Sequence, residues 1–246
     1  LFEDISVFMK MQDRFGSGSA FNSFGDGIYD PIENQSWGPA FDGTIREVGQ
    51  VTEDGQLQEL PYTYLPDEKM NFFNTGVNIQ NDVSVSSGDD KSNFFLSVQN
   101  VQIKGIMPSD VGDRTTVRLN AGKTLGIFNA SMNFGYTQKN SDLTPLTGTI
   151  YDQVFQAPGQ IPITRYKDFQ NDYWSNRNNY YNDYFANPYE TIYNNRVDSR
   201  SDEFFGNVAL TLKPTKWMSI TNRMGYTLTS GVNHAISRRI NYTDFA

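Results

Sequence analysis

Cysteine is absent from the 246 residues, so a disulfide frame, a thiolate metal site and a cysteine nucleophile are all excluded. Long apolar runs are missing too: none approaches the roughly 18 residues that a transmembrane helix needs, and mean hydropathy is −0.56. A helical membrane protein is therefore excluded, whereas a transmembrane β-barrel is not, because its strands are apolar on one side only. Basic residues are in deficit, with 20 Lys and Arg against 28 Asp and Glu and a net charge of −8. A surface of that sign gives nucleic acid no electrostatic footing. Histidine occurs once, at His234, in what reads as a solvated terminal loop with no serine or metal partner close in sequence. Gly16-Ser17-Gly18 and Gly25-Asp26-Gly27 are followed by no Lys-Ser/Thr pair or helix start, so they are loop glycines rather than a phosphate cradle. Asp89-Asp90 reads as an ordinary turn, with a Ca²⁺ role as the second reading. No catalytic constellation emerges; an enzyme, a cofactor and a resident metal are not expected.

What is plentiful is alternation. Between Arg114 and Lys139, Val117, Leu119 and Ala121 point one way, and Arg118, Asn120 and Gly122 the other. After a very short break at Thr124-Leu125-Gly126, Phe128, Ala130, Met132, Phe134 and Tyr136 share a face. Asn129, Ser131, Asn133, Gly135 and Thr137 share the opposite one. A period of two means strands, since successive side chains leave a pleated backbone on opposite sides. One face is apolar and the other small, amide-bearing or charged, over a length near the 9–11 residues of a membrane-spanning strand. The pattern predicts a hairpin with lipid on one side and water on the other. It recurs later, where Phe204, Val208, Leu210 and Leu212 precede a turn and Met218, Ile220, Met224, Tyr226 and Leu228 follow it. Asn222 interrupts that row, and Arg223 falls on the wet face. Trp217, beside the turn, suits either an interfacial aromatic girdle or plain turn packing.

Strands are expected at about 2–11, 77–86, 92–103, 114–124, 127–138, 202–213 and 217–229. The run at 92–103 shifts its apolar register between Phe94-Leu96-Val98 and Val101-Ile103, as a bulge would. Short connections at Ser87–Lys91, Thr124–Gly126 and Lys213–Lys216 alternate with long ones at about 12–76, 104–113, 139–201 and from 230 on. All short turns then lie at one end of an antiparallel sheet and all long loops at the other, the asymmetry of outer-membrane barrels. A soluble β-sandwich predicts no such alternation. Seven strands are an odd number with two open edges, so further strands are expected outside this segment.

Several pieces resemble, in order, the SusC/RagA family of TonB-dependent outer-membrane transporters. They are Gln12 with Phe15-Gly16-Ser17-Gly18, then Ser36-Trp37-Gly38-Pro39 with Asp42-Gly43, and Phe72-Phe73-Asn74-Thr75-Gly76 with Val83-Ser84-Val85-Ser86-Ser87-Gly88. Gly105-Ile106-Met107-Pro108-Ser109 and Asn187-Pro188-Tyr189 extend the series. Residue 40 is Ala where the family pattern suggests a base. The resemblance implies an all-β fold: residues 1–246 would be part of one barrel domain of about 22 strands with long extracellular loops. The plug and its TonB-contacting box would lie outside this chain. It also implies import of oligosaccharides or oligopeptides through an outer membrane, with a SusD-like surface lipoprotein and the TonB complex as partners. A siderophore-type receptor is the alternative within the class, and a soluble β-rich glycan-binding module the alternative outside it.

The candidate contact residues are aromatic. Residues 166–193 are rich in Tyr, Asn and Asp, with Tyr173, Trp174, Tyr180 and Tyr181 foremost. Flat rings with amides suit sugar faces and protein interfaces alike. Docking of the lipoprotein, packing of the loop on itself and direct contact with a glycan or peptide substrate all fit. Trp37 is a further candidate, though with Asp42 it fits better as an anchor of the first long loop.

Overall fold

The computed structural model describes residues 12–239; the strand expected at 2–11 lies outside the described residues. The chain divides into two compact units. One is built from the residues up to Asn74, Leu146–Asn195 and the residues from Ser237; the other from Thr75–Pro145 and Arg196–Ile236.

The first unit takes in the two longest connections, which form a folded body with its own core. Strands β1 (Ile45–Val48) and β2 (Gln58–Pro61) pair antiparallel, with Ile45 opposite Pro61. Three short helices follow: α1 (Glu68–Asn71), α2 (Thr147–Phe155) and α3 (Pro188–Asn194), with a 3₁₀ turn at Ile163–Lys167. Tyr62, Phe72, Ile150, Val154, Ile161, Ile163, Tyr166 and Ile192 are buried together in this unit. Helix α3 starts where sequence chemistry says a helix should. The Asn187 side chain accepts from the Tyr189 N–H at 3.0 Å, and Pro188 occupies the first turn.

The second unit is one open antiparallel sheet in sequential order, β3-β4-β5-β6-β7-β8. The strands are β3 (Val77–Asp89), β4 (Ser92–Lys104), β5 (Val111–Leu125), β6 (Phe128–Leu143), β7 (Asn195–Thr215) and β8 (Met218–Ser237). The turns Asp90-Lys91, Gly126-Ile127 and Lys216-Trp217 are two residues each and share one end of the sheet. Gly126 sits at φ 58, as a two-residue hairpin turn needs. At the Asp90-Lys91 turn, the Asp89 carboxylate accepts from the N–H groups of Lys91 and Ser92, at 2.7 and 2.8 Å. At the opposite end the β4–β5 connection spans only Gly105–Asp110 and is closed by Gly105 N–H donating to Asp110 O at 2.8 Å. It is thus shorter than expected, and β5 begins three residues earlier.

Two further expectations are corrected. The ladder between β4 and β5 runs unbroken from Ser92↔Lys123 to Lys104↔Val111, so there is no bulge in β4. Val101 and Ile103 simply face the other side, where Val101 is buried. His234 stands in β8, not in a loop.

Register settles which residues share a face. Val83, Val98, Val117, Tyr136 and Phe204 form one row, and Val85, Leu96, Leu119, Phe134 and Gly206 the next toward the turns. Phe94, Ala121, Met132 and Val208 follow, then Ala130 and Leu210 in a row that also holds Ser92 and Lys123, and Leu125, Phe128 and Leu212. Toward the loops the same face changes: the next row is Asn81, Asn100, Thr115, Gln138 and Asp202, and the one after it is Gln102, Asp113, Asn140 and Arg200 with Ile79 at the β3 edge. The apolar residues thus form a band, and the strands outrun it. The opposite face is a polar ladder: Asn133 donates to Asn207 at 3.0 Å, Asn129 to Thr124 at 3.0 Å, and Thr211 pairs with Thr221 at 3.0 Å. Two aromatics interrupt it, Phe95 and Phe205, and the second has a local cause. Gly135 lies opposite Phe205 and Gly206 opposite Phe134, and each ring covers the facing glycine so closely that a Cβ would clash.

Candidate functional site

Two regions qualify, one in each unit. In the first unit, residues 166–193 wrap around Tyr166, whose hydroxyl donates to Gln58 Oε1 at 2.9 Å. Tyr180 packs edge-on against Tyr166 at 5.1 Å, and Tyr181 stacks on it at 5.8 Å. Both candidate tyrosines are buried, at 8% and 4% exposure, so neither can touch a partner or substrate from where it stands. Burial pushes the phenol of Tyr181 up to about 12 and those of Tyr166 and Tyr180 well above the ordinary value. Asn187 pins this cluster: its amide donates to Tyr166 O at 2.7 Å and to Ser175 O at 2.9 Å.

Tyr173 and Trp174 are half-buried, their rings perpendicular at 4.8 Å. The Tyr173 hydroxyl bonds to Thr52 Oγ1 at 2.9 Å and to the Asp54 carboxylate; that carboxylate raises the phenol's pKa, and hydrogen bonds from Thr52 and then Tyr173 lower the carboxyl's. A polar hollow of about 350 Å³ adjoins Tyr173, with Asp54, Asn176, Arg177 and Asn179 also in its wall. Of the four tyrosine and tryptophan candidates in this segment, only this pair can meet a ligand, and it is tied to the 52–54 turn.

The glycines of the first long connection are explained by crossing backbones. A Cβ on Gly38 would lie 2.0 Å from Ser17 O, and one on Gly18 would lie 2.2 Å from Ile28 O. The Tyr62 hydroxyl accepts from Gly16 N–H at 3.1 Å and donates to Pro39 O at 2.7 Å. Arg46 lies over the rings of Tyr62 and Tyr29, at 4.1 and 4.9 Å, and pairs with Asp42 at 2.7 Å. Hydrogen bonds from Thr44 and Arg46 hold the Asp42 carboxyl at about 2. These residues therefore anchor the loop. The Trp37 ring is left 57% exposed, and Phe24, not singled out by the sequence, is 89% exposed at the tip of an Asn22-capped turn.

In the second unit a hollow of about 1070 Å³ lies at the loop end of the band-bearing face. Asn100, Asp113, Asn140, Arg200 and His234 contribute its polar wall. Both edge strands line it, through Val77 and Val232, so the sheet curls toward this face there. Sequence reasoning missed it because only the register brings these residues together. Among the described residues, no three His, Asp or Glu side chains gather as metal ligands would.

The fold defines an all-β protein dominated by an open six-stranded antiparallel sheet. No family model matches the sequence, and no curated protein matches it.

Proposed function

We propose that the sheet is part of a transmembrane β-barrel in an outer membrane. On the strength of the SusC/RagA-like motifs, the protein is a TonB-dependent importer of oligosaccharides or oligopeptides that works with a SusD-like surface lipoprotein. The observation that carries the membrane reading is the bounded apolar band on one face, backed by a polar ladder on the other. Its side chains stay open to solvent: Phe128 is 45% exposed, Met224 62% and Leu228 51%. Exposed apolar surface of that extent marks a face meant for another apolar phase.

The band also drifts. Its centre moves from Leu96 on β4 to Val208 on β7, one same-face step past the Leu96 row. With about 3.3 Å per residue and 4.8 Å between strands, that drift corresponds to a strand tilt of about 25°, shallower than the roughly 35–45° of outer-membrane barrels. The unpaired edges of β3 and β8 among the described residues leave room for further strands, which lipid would require.

A soluble β-rich binding module is the second reading, favoured by the curl that creates the 1070 Å³ hollow. Fractionation separates the two. The membrane reading expects the protein to stay with outer membranes through a carbonate wash and to leave only with detergent. Recovery in the soluble fraction would overturn it.

A further inference from the structure

The chain carries a net charge of −8, yet Arg114–Ser141 and Phe204–Arg239 contain no Asp or Glu. These stretches hold most of β5 and β6, the turn-ward half of β7 and all of β8, and every charge on them is basic or the single histidine. At the β7–β8 turn the charges are Lys213 and Lys216, and neither forms an ion pair among the described residues. Lys213 is held in place through its backbone, which donates to Ile127 O at 2.8 Å and so ties this turn to the β5–β6 turn.

Beside the two lysines stands Trp217, 84% exposed. Together with Ile127, Pro214 and Thr215 they wall a hollow of about 510 Å³. It opens where the apolar band ends, next to Leu212 and Phe128. A hollow with an indole on one side, free ammonium groups on another and apolar rows leading away matches the headgroup region of a bilayer.

We propose that this hollow binds the phosphate of an anionic glycerophospholipid, with Lys213 and Lys216 as its cationic partners and the Trp217 ring alongside the glycerol. The proposal rests on the membrane reading and adds a site to it. Because short barrel turns face the periplasm, the lipid comes from the inner leaflet. Each lysine near a lipid surface favours an anionic headgroup by about fivefold, so the pair should prefer phosphatidylglycerol over phosphatidylcholine by at least several-fold.

The test uses the full chain in vesicles of phosphatidylcholine alone or with three parts in ten phosphatidylglycerol. The fluorescence difference between wild type and Trp217→Phe isolates the Trp217 signal, and nitroxide-labelled phosphatidylglycerol and phosphatidylcholine are compared as quenchers. Stronger quenching by the anionic lipid that is lost in Lys213→Gln/Lys216→Gln and kept in Lys213→Arg/Lys216→Arg supports the site. Equal quenching by both lipids, or a preference that survives the glutamine pair, overturns it while leaving the membrane reading in place. A chain that floats with neither vesicle refutes the membrane reading, and the site with it.

Discussion

Asn187 gives the first unit its most exposed weakness to a single substitution. The residue is fully buried and uses three of its hydrogen-bonding positions: it caps α3 through the Tyr189 N–H and donates to the carbonyls of Tyr166 and Ser175. Truncation in Asn187→Ala removes a cap worth about 1 kcal/mol. It also strands two buried carbonyls, at about 1–3 kcal/mol each. Water entering the vacated space recovers part of this, so a loss of about 3–5 kcal/mol is expected. Asn187→Asp keeps the cap but cannot donate, and it sets a carboxylate against two carbonyl oxygens. It should be at least as damaging at neutral pH. That carboxyl's folded pKa would be raised, so its penalty is absent at low pH and builds as pH rises through the ordinary carboxylate range. The Asp variant should therefore recover relative to Ala on acidification. Guanidinium unfolding followed by tryptophan fluorescence reads the effect, since Trp174 adjoins Ser175. If both variants stay within about 1 kcal/mol of wild type, Asn187 does not pin the cluster.

Arg196 ties β7 to two neighbouring segments, bonding Asp142 at 2.7 Å, Asp110 at 2.9 Å and Ser109 O at 2.8 Å. Replacing it by Met should cost about 2–4 kcal/mol, below the usual cost of breaking a buried pair because Asp142 is partly exposed; hydrogen exchange should rise in residues 105–113, and unchanged protection there would refute it. Lys69 is half-buried, donates to Phe155 O at 2.8 Å, and has its pKa lowered to about 8 by desolvation. Between pH 8 and the unfolded lysine value the unfolded chain holds more protons, so wild-type stability should rise from pH 7.5 to 9.5 relative to Lys69→Met; parallel curves for the two proteins would contradict this. Trp174→Ala with Tyr173→Ala should weaken association with the lipoprotein partner if the pair docks it, as aromatic hot spots do. A loss of ligand affinity instead would assign the pair to substrate, and no change in either would leave it packing the loop against residues 52–54.

The sheet was legible because its signal is local and repeated: alternation places β3 and β4 within three residues of their observed spans and the turn-side ends of β5, β6, β7 and β8 within two, whereas β7 starts seven residues earlier and β8 ends eight residues later than expected. Val101 and Ile103 were misread as a register shift because both faces of β4 carry apolar residues, and only pairing tells them apart. The helices were not read from the sequence. Yet Asn187-Pro188 is an N-cap signal, overlooked because α3 is only seven residues long. Burial of Tyr180 and Tyr181 could not be read from composition, since an Asn- and Tyr-rich stretch looks alike whether its rings face water or one another. The position of Tyr173 is equally absent from the local sequence: its partners lie at Thr52 and Asp54, about 120 residues earlier.

Because the chain has no native cysteine, single cysteines from residue 128 to 136 can carry spin labels in lipid vesicles one at a time. The account predicts an alternating profile of collision with oxygen and with a water-soluble nickel chelate. Labels at Phe128, Ala130, Met132 and Phe134 should meet oxygen and exclude the chelate, and labels at Asn129, Ser131 and Asn133 should do the reverse. Chelate access at the Phe128–Phe134 set equal to that at the Asn129–Asn133 set would mean that no lipid covers the apolar band, and the membrane-spanning reading would fall.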